Sequence, residues 1–212
     1  MRSGLFLVLE GPEGSGKTTQ ATKLEAWLVA RGIPVLRVRE PGGTPAGEEI
    51  RRLLLHSGHL PARAELLLME AARAVLVEER IRPALAAGTL VLADRFALSS
   101  LAYQGMARGL GVADVATLNA FATGGLVPDL TIVVAVPAAV GESRRAARGA
   151  ADRIEGAGRE FHERVARAYE MLADGDAAVA LVDGTAAPEH VHERIVAVLQ
   201  DRFPETFPPG EG

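Results

Sequence analysis

The sequence predicts an α/β fold, with a five-stranded parallel sheet and helices on both of its faces. Five short runs are mostly apolar and show little alternation, which is typical of strands that are buried on both faces. Helical patterns separate these runs, and strands that alternate with helices form parallel sheets. The length of 212 residues, 48% of them hydrophobic, suits one domain with a sizeable core.

The elements follow one another in regular alternation. Residues 19–31 have apolar side chains at helical spacing, and Gly32 is typical of the position just after a helix. Pro83 predicts a kink or break late in the long third helix, because proline has no N–H to donate. The predicted strands are residues 5–9, 35–39, 89–93, 130–136 and 178–182. The predicted helices are residues 19–31, 47–57, 62–87, 98–105, 112–122, 138–148, 159–173 and 189–202.

One domain is predicted over residues 1–203, followed by a flexible C-terminal tail. The tail, residues 204–212, contains three prolines and two glycines and has no helical or strand pattern. Within the domain, residues 149–158 form a polar, glycine-bearing interruption between two helices. No internal repeat divides the chain further.

Composition and charge restrict the classes of function. The formal net charge of −4 and the low aromatic content of 4% argue against a broad nucleic-acid surface. The chain has no cysteine, so we expect no disulfide and no thiolate metal ligand or nucleophile. No stretch is long enough to span a membrane, and the start does not have the pattern of a secretion signal. We therefore expect a cytoplasmic protein with no nucleic-acid and no membrane partner.

The segment that follows the first strand matches G-x-x-x-x-G-K-[ST] at every fixed position. A strand precedes it and a helix follows, which is the context that a phosphate-binding P-loop requires. Backbone N–H groups and the helix N-terminus would hold phosphate, Lys17 would reach the β- and γ-phosphates from a solvated position, and Thr18 would hold Mg²⁺. The alternative is a glycine-rich turn without a ligand. The predicted nucleotide-binding residues are Gly11, Pro12, Glu13, Gly14, Ser15, Gly16, Lys17 and Thr18.

A second group of candidate residues follows the third strand. Asp94 ends that strand, as the Walker-B carboxylate does, and could bind Mg²⁺ directly or through water. Arg95 is free to hold a second phosphate with its two-pronged guanidinium. The next helix carries Ser99, Tyr103 and Gln104, and the first two share a face. Because ligands collect at the carboxyl ends of parallel strands, we expect this group to face the glycine loop. A surface Asp–Arg pair is the alternative.

Six short blocks, in their order and spacing, resemble the thymidylate kinase family over about residues 5–202. The resemblance implies the reaction ATP + dTMP → ADP + dTDP with Mg²⁺, a lid over about residues 144–159, and a homodimer. The blocks are Glu13 in the glycine loop, Arg39-Glu40-Pro41-Gly42-Gly43-Thr44, Ala71-Ala72-Arg73, Asp94-Arg95-Phe96 with Ser99 and Ala102-Tyr103-Gln104-Gly105, Pro128-Asp129-Leu130-Thr131, and Asp152-Arg153-Ile154-Glu155.

The resemblance implies contacts to the nucleoside of dTMP. Arg73 and Gln104 hydrogen-bond the thymine edge, and Tyr103 lies where a 2′-hydroxyl would be, which favours deoxyribose. Met69 stands where the family usually has a phenylalanine that stacks on thymine. Met69 and Arg73 still share a helix face, and contact between a thioether and an aromatic ring is favourable but modest. The family's L-D-V-x-P-E motif corresponds to residues 134–139 of this chain, which have no acidic residue at the motif's two acidic positions.

The resemblance also implies how the phosphates are held. Arg95 binds the dTMP phosphate, Glu13 faces the sugar and phosphate of dTMP, and Ser99 adds a polar contact. Some members of the family carry an arginine inside the glycine loop, but this chain has Gly14 there. The arginine-rich lid is then the expected source of a catalytic cation, although a charge run can also be a solvated face. The predicted catalytic residues are Lys17, Arg95, Arg148 and Arg153.

The nearest alternative function is a P-loop kinase of another nucleoside monophosphate or of a deoxynucleoside. Arg73 and the Tyr103-Gln104 pair argue against it. A non-kinase P-loop NTPase is the alternative from a different class. A GTP switch protein would need an N-K-x-D motif, but Lys17 and Lys23 are the only lysines and neither follows an asparagine. A nucleic-acid-stimulated ATPase would need a basic groove with aromatic side chains, which the composition does not favour.

Overall fold

A parallel sheet of five strands forms the centre of the computed structural model, which describes residues 4–147 and 152–208. The strand order is β2-β3-β1-β4-β5, and every neighbouring pair is parallel. The predicted fold class and number of strands are therefore confirmed. The strands are β1 (Phe6–Glu10), β2 (Val35–Arg39), β3 (Leu90–Asp94), β4 (Leu130–Ala135) and β5 (Val179–Asp183).

Helices connect the strands, and two π-helical segments, Val77–Ile81 and Leu101–Ala107, continue two of them. Within residues 4–147 and 152–208, no helix combines the length and hydrophobicity needed to cross a bilayer. The α-helices of the described chain are α1 (Lys17–Ala30), α2 (Pro45–His56), α3 (Ala62–Leu76), α4 (Arg82–Ala86), α5 (Ala97–Ser100), α6 (Val112–Thr123), α7 (Ala138–Ala146), α8 (Arg159–Ala173) and α9 (Pro188–Arg202).

Gly32 ends a helix as predicted, whereas the helical chain continues through Pro83 with a change of its repeat. Gly32 follows α1 with a φ of 70°, and Ile33 N donates back to Leu28 O at 3.1 Å, which closes the helix end. Pro83 lies in the first turn of α4, directly after the π-helical segment. Because Pro83 cannot donate to a carbonyl four residues back, the helical repeat changes before it, and Arg82 N bonds to Val77 O instead.

Both faces of the three central strands, β3, β1 and β4, are covered, which explains why these strands show little alternation. All five residues of β1 are buried. Leu7 and Leu9 pack in one cluster with side chains of α1 and α9. Phe6 and Val8 pack in a second cluster with the end of α3 and the helix that continues it. A third cluster joins α8 to the π-helical segment Leu101–Ala107 and so supports the residues after β3.

The chain beyond α9 is held against the first of these clusters. Phe207 is buried at 1% exposure, and its ring centroid lies 5.7 Å from that of Trp27. The sequence predicts a flexible tail over residues 204–212, and Phe207 within it packs on the apolar cluster beside α1. Residues 209–212 lie outside the described residues, so their flexibility stays a prediction.

The strand order determines where a ligand can enter. The connection from β1 runs toward the edge of the sheet where β2 lies. The connection from β3 runs in the opposite direction, toward β4 and the other edge. Loops that leave neighbouring parallel strands in opposite directions open a crevice at their carboxyl ends. The glycine loop follows β1 and the Asp94-Arg95 pair follows β3, so both candidate groups lie at this crevice.

Candidate active site

The backbone of the glycine loop depends on glycine at positions 14 and 16, where a side chain would disrupt it. Gly14 has a φ of 76°, and a Cβ added there would lie 2.3 Å from the carbonyl oxygen of Gly141 on α7. Gly16 has a φ of 97° and precedes the first turn of α1. The close contact between Gly14 and α7 gives a physical reason why this chain has no arginine inside the loop.

Lys17 is buried, contrary to the expectation that it lies at a solvated position. The residue is 6% exposed, and its Nζ donates to Gly11 O at 2.9 Å and to Pro12 O at 2.8 Å. Burial, and then the positive charge of Arg95, lower the pKa of Lys17 to about 8. The loop folds around the side chain because its carbonyl groups are the acceptors that an ammonium group needs away from water.

Thr18 and Asp94 come together where the glycine loop meets the end of β3. Thr18 Oγ1 donates to Asp94 Oδ2 at 2.7 Å. The predicted metal residues are therefore adjacent, and both offer oxygen atoms. β1 and β3 are direct neighbours in the sheet, with Leu9 opposite Asp94, and this register produces the contact.

Arg95 is the centre of a polar network at the crevice. Its φ of 77° is the single positive value at a non-glycine position in residues 4–147 and 152–208. Such a backbone is strained, and strained residues cluster at functional sites. Burial raises the pKa of Glu13, but Arg95 and Lys17 outweigh it and lower that pKa to about 2. The side-chain acceptors of the Arg95 guanidinium are Glu13 Oε1, Tyr103 OH, Ser99 Oγ and Tyr169 OH.

Glu10 orders the backbone around Arg95 and is a site residue that was not predicted. This carboxylate is fully buried at the end of β1. Its Oε1 accepts from Phe96 N at 2.9 Å and Ser99 N at 3.0 Å, and its Oε2 accepts from Ser99 Oγ at 2.6 Å and Tyr169 OH at 2.8 Å. An acidic residue that closes a wholly apolar strand next to a glycine loop was the available signal.

Arg73 is also buried, at 1% exposure, and each of its three nitrogens donates to protein acceptors. Burial raises the pKa of Glu40 to about 7 although Arg73 opposes the rise. Arg73 therefore lies at the cavity wall inside a buried ionic cluster. The acceptors of Arg73 are Glu40 and Glu70 carboxylates, Ser100 Oγ, Asn119 Oδ1 and Phe96 O.

Gln104 and Arg153 meet at one carboxylate. Gln104 Nε2 donates to Glu65 Oε1 at 2.8 Å, and Arg153 Nη1 donates to Glu65 Oε2 at 2.7 Å. Arg153 Nε also donates to Leu54 O at 2.7 Å. Arg153 is thus bonded to one residue of α3 and one of α2, and it does not line the cavity. The other predicted lid cation, Arg148, lies outside the described residues.

Two further arginines of the predicted lid have protein partners. Arg144 Nη1 donates to Gly184 O at 3.0 Å and so ties α7 to the loop after β5. Arg159 pairs with Glu163 at 2.9 Å on an exposed face of α8. Arg159 therefore fits the solvated face that the sequence analysis left open as an alternative.

A cavity of about 370 Å³ connects the glycine loop, the Asp94-Arg95 pair and the wall that contains Arg73 and Gln104. Sequence reasoning missed Arg51 at its wall, because a single arginine on a helix carries no motif of its own. Arg39, which belongs to one of the six family blocks but was given no role, also lies at the wall, and both cations add positive charge near Arg95. The predicted site residues that line the cavity are Glu13, Gly14, Gly16, Lys17, Thr18, Met69, Arg73, Asp94, Arg95, Ser99, Tyr103 and Gln104.

A glycine loop on β1, a lysine inside it and a second cationic site across the same cavity define a P-loop phosphotransferase. The family model described as thymidylate kinase matches residues 9–195. A thymidylate kinase of Pseudomonas putida is 48% identical over 200 residues, covering 93% of this chain and 95% of the relative. One from Deinococcus radiodurans is 45% identical over 204 residues, covering 95% and 99%. One from Fervidobacterium nodosum is 45% identical over 195 residues, covering 92% and 98%.

The chain therefore belongs to the thymidylate kinase family and is an ATP-dependent nucleoside monophosphate kinase. The family that the six sequence blocks resemble is confirmed. The roles of individual residues stay predictions, although most of the residues concerned share one cavity.

Proposed function

We propose that this chain transfers the γ-phosphate of ATP to dTMP in the cavity described above, giving ADP and dTDP. The observation that carries the proposal is the continuity of one cavity from Lys17 and Thr18, past Arg95, to Arg73 and Gln104. Phosphoryl transfer between two anions requires that both be held close together with their charges neutralised. The glycine loop would hold ATP, and Arg95 would hold the phosphate of dTMP.

Glu13 and Tyr103 support this role of Arg95. Glu13, at the third position of the glycine loop, binds Arg95 Nη2, and Tyr103 OH lies 3.2 Å from the same nitrogen. Because Arg95 is held between the glycine loop and the π-helical segment that carries Tyr103, its guanidinium is ordered before a phosphate binds. Ordering in advance lowers the entropic cost of binding and places the acceptor in line.

Thr18 and Asp94 would hold Mg²⁺. Mg²⁺ prefers oxygen ligands and keeps several waters when it also binds substrate phosphates, so a hydroxyl and one carboxylate are a suitable protein set. The distance of 2.7 Å from Thr18 Oγ1 to Asp94 Oδ2 places both oxygens beside the glycine loop. When bound, the ion would neutralise charge on the β- and γ-phosphates.

The proposed acceptor is tested by ADP release from ATP and Mg²⁺ with a panel of nucleoside monophosphates. We expect dTMP to be preferred, dUMP to be intermediate, and UMP and dCMP to be poor. A missing 5-methyl group costs about 1–3 kcal/mol in an apolar pocket, whereas a mispaired polar edge costs more. Tyr103 is expected to reject the 2′-hydroxyl of UMP. Equal kcat/KM for dCMP and dTMP would contradict the roles of Arg73 and Gln104.

The lid is proposed to supply a cation to the transferred phosphoryl group. Arg148→Ala or Arg153→Ala is expected to lower kcat by on the order of 10³, with a smaller effect on KM for dTMP, because a lid acts mainly in the closed state. Arg153 would first have to leave Glu65, with which it forms an ion pair at 2.7 Å.

Arg159→Ala is the matched control for the lid variants. Arg159 pairs with Glu163 on the surface and is 68% exposed, so we expect it to keep the kcat of the parent. If both single variants and their double variant keep kcat within about threefold, the lid supplies no catalytic cation.

The homodimer and the cytoplasmic location stay predictions. Leu53 on α2 and Leu67 on α3 are exposed at 43% and 58%, and these helices pack against each other. Their outer surface is apolar area that a second copy of the chain could cover.

A further inference from the structure

Glu65 is a buried carboxylate to which the proposed reaction gives no role. It lies on α3 at 1% exposure and does not line the cavity. Gln104 Nε2 donates to its Oε1 at 2.8 Å, and Arg153 Nη1 donates to its Oε2 at 2.7 Å. Arg108 donates to the two oxygens at 3.3 and 3.2 Å. Both oxygens of this carboxylate therefore accept hydrogen bonds, and one of them accepts from Gln104, which lines the cavity.

The contact with Glu65 determines which way the Gln104 amide faces. Burial raises the pKa of Glu65, but hydrogen bonds from Gln104, Arg153 and Arg108 outweigh it, so the pKa is lowered and the carboxylate is ionised. An ionised carboxylate only accepts hydrogen bonds. The NH₂ group of Gln104 must then face Glu65, because the flipped amide would set its oxygen against a negative charge.

The other end of the amide is directed to the cavity. Gln104 lines the cavity, and its Oε1 makes no hydrogen bond to any residue in the described part of the chain. A carbonyl oxygen is an acceptor only. The cavity wall at this position therefore presents a hydrogen-bond acceptor, and its orientation depends on a residue that does not touch the ligand.

We propose that Glu65 is a positioning residue that makes the acceptor pocket prefer a pyrimidine with a hydrogen on N3, by holding Gln104 Oε1 toward the cavity. The inference rests on the proposed function and names what sets its specificity. Thymine and uracil donate a hydrogen bond from N3. Cytosine has a lone pair at N3, which would face the lone pairs of Gln104 Oε1, and this repulsion selects against dCMP.

The test is the ratio of kcat/KM for dTMP to kcat/KM for dCMP, measured by ADP release at saturating ATP. Glu65→Gln replaces an obligatory acceptor with an amide that can also donate, so the Gln104 amide can turn over. We expect the ratio to fall by roughly tenfold or more. KM for ATP should stay within about twofold of the parent, because a general loss of structure would raise it as well.

A second variant keeps the net charge of the cluster around Glu65, and a single variant serves as its control. Glu65→Gln leaves Arg108 and Arg153 near a neutral group, which can weaken the fold. The double variant Glu65→Gln/Arg108→Gln keeps the net charge of the cluster, and Arg108→Gln alone keeps the carboxylate and its bond to Gln104. We expect the double variant to lose the preference for dTMP and the Arg108→Gln variant to keep it. Thermal unfolding of each variant checks that it is folded.

The outcomes separate this inference from the proposed function. An active parent for which the double variant and Arg108→Gln give the same ratio within twofold would overturn the role of Glu65. The role of Glu65 would also be overturned if Glu65→Gln lowered kcat/KM for dTMP and dCMP by an equal factor, since a purely structural role predicts equal losses. A parent that does not phosphorylate dTMP would contradict the proposed function and this inference with it.

Discussion

Lys17→Met is expected to remove nearly all turnover while the chain stays folded. Lys17 is the cation of the glycine loop, and loss of a γ-phosphate cation should cost at least several kcal/mol of transition-state stabilisation. Methionine keeps the aliphatic part of a side chain that is 6% exposed, so the loop should not collapse into a void. Steady-state kcat and circular dichroism measure the two effects. A variant that keeps more than about a tenth of the parent kcat would contradict the assignment.

Lys23 provides a matched control, because it is the other lysine of the chain. It lies on the same helix, but its side chain is 33% exposed and pairs with Glu189 at 2.9 Å. Exposed ion pairs contribute little, so Lys23→Met should keep the activity and the stability of the parent.

The pH profile is a second measure of the role of Lys17. With a pKa lowered to about 8, Lys17 is charged below pH 8 and loses its charge as the pH rises through that value. We therefore expect kcat/KM for ATP to fall above about pH 8, since this parameter reports the ionisation of the free enzyme.

Arg95→Gln is expected to lower kcat/KM for dTMP by about 10²–10³, the range for loss of one preorganised donor group. The guanidinium contacts acceptors from the glycine loop and from two helices, and a phosphate would replace some of them. Arg95→Lys should not restore activity, because an ammonium group cannot form two parallel bonds to a phosphate.

Arg52→Gln serves as the control for Arg95. Arg52 is 65% exposed and pairs with Glu49 at 2.8 Å on α2. We expect it to have the kinetics of the parent. Initial rates with varied dTMP measure both variants, and equal kcat/KM values for Arg95→Gln and Arg52→Gln would exclude Arg95 as the phosphate ligand.

The parts of the fold that depend on local pattern could be predicted from the sequence. Apolar runs and Gly32 each act within a few residues, so the predicted strands and helix ends agree with the structure to within about two residues. The glycine loop and the Asp94-Arg95 pair carry motifs, and the parallel sheet brings them together. Chemistry that depends on short stretches of neighbouring residues is thus visible in the sequence alone.

The parts that depend on packing could not be predicted. Tyr169 joins the Arg95 network from a helix 74 residues further on, and no local pattern marks it. Phe207 is held only because Trp27, on α1, leaves a surface to cover. Each of these facts is a property of two distant segments, and a single sequence does not reveal which distant segments meet.

The contact between Gly14 and Gly141 also restricts how an arginine in the glycine loop could replace the proposed lid arginines as the source of a cation. A Cβ at residue 14 would lie 2.3 Å from Gly141 O, on the helix that leads into the lid. Gly14→Arg by itself would displace α7 and, with it, the approach to the lid. Loss of the lid arginines first would leave an enzyme without the proposed cation. If the lid supplies the cation, as proposed, neither single step is neutral in this background. The loop-arginine and lid-arginine forms are then separated by an epistatic barrier that only coupled changes at both positions would cross.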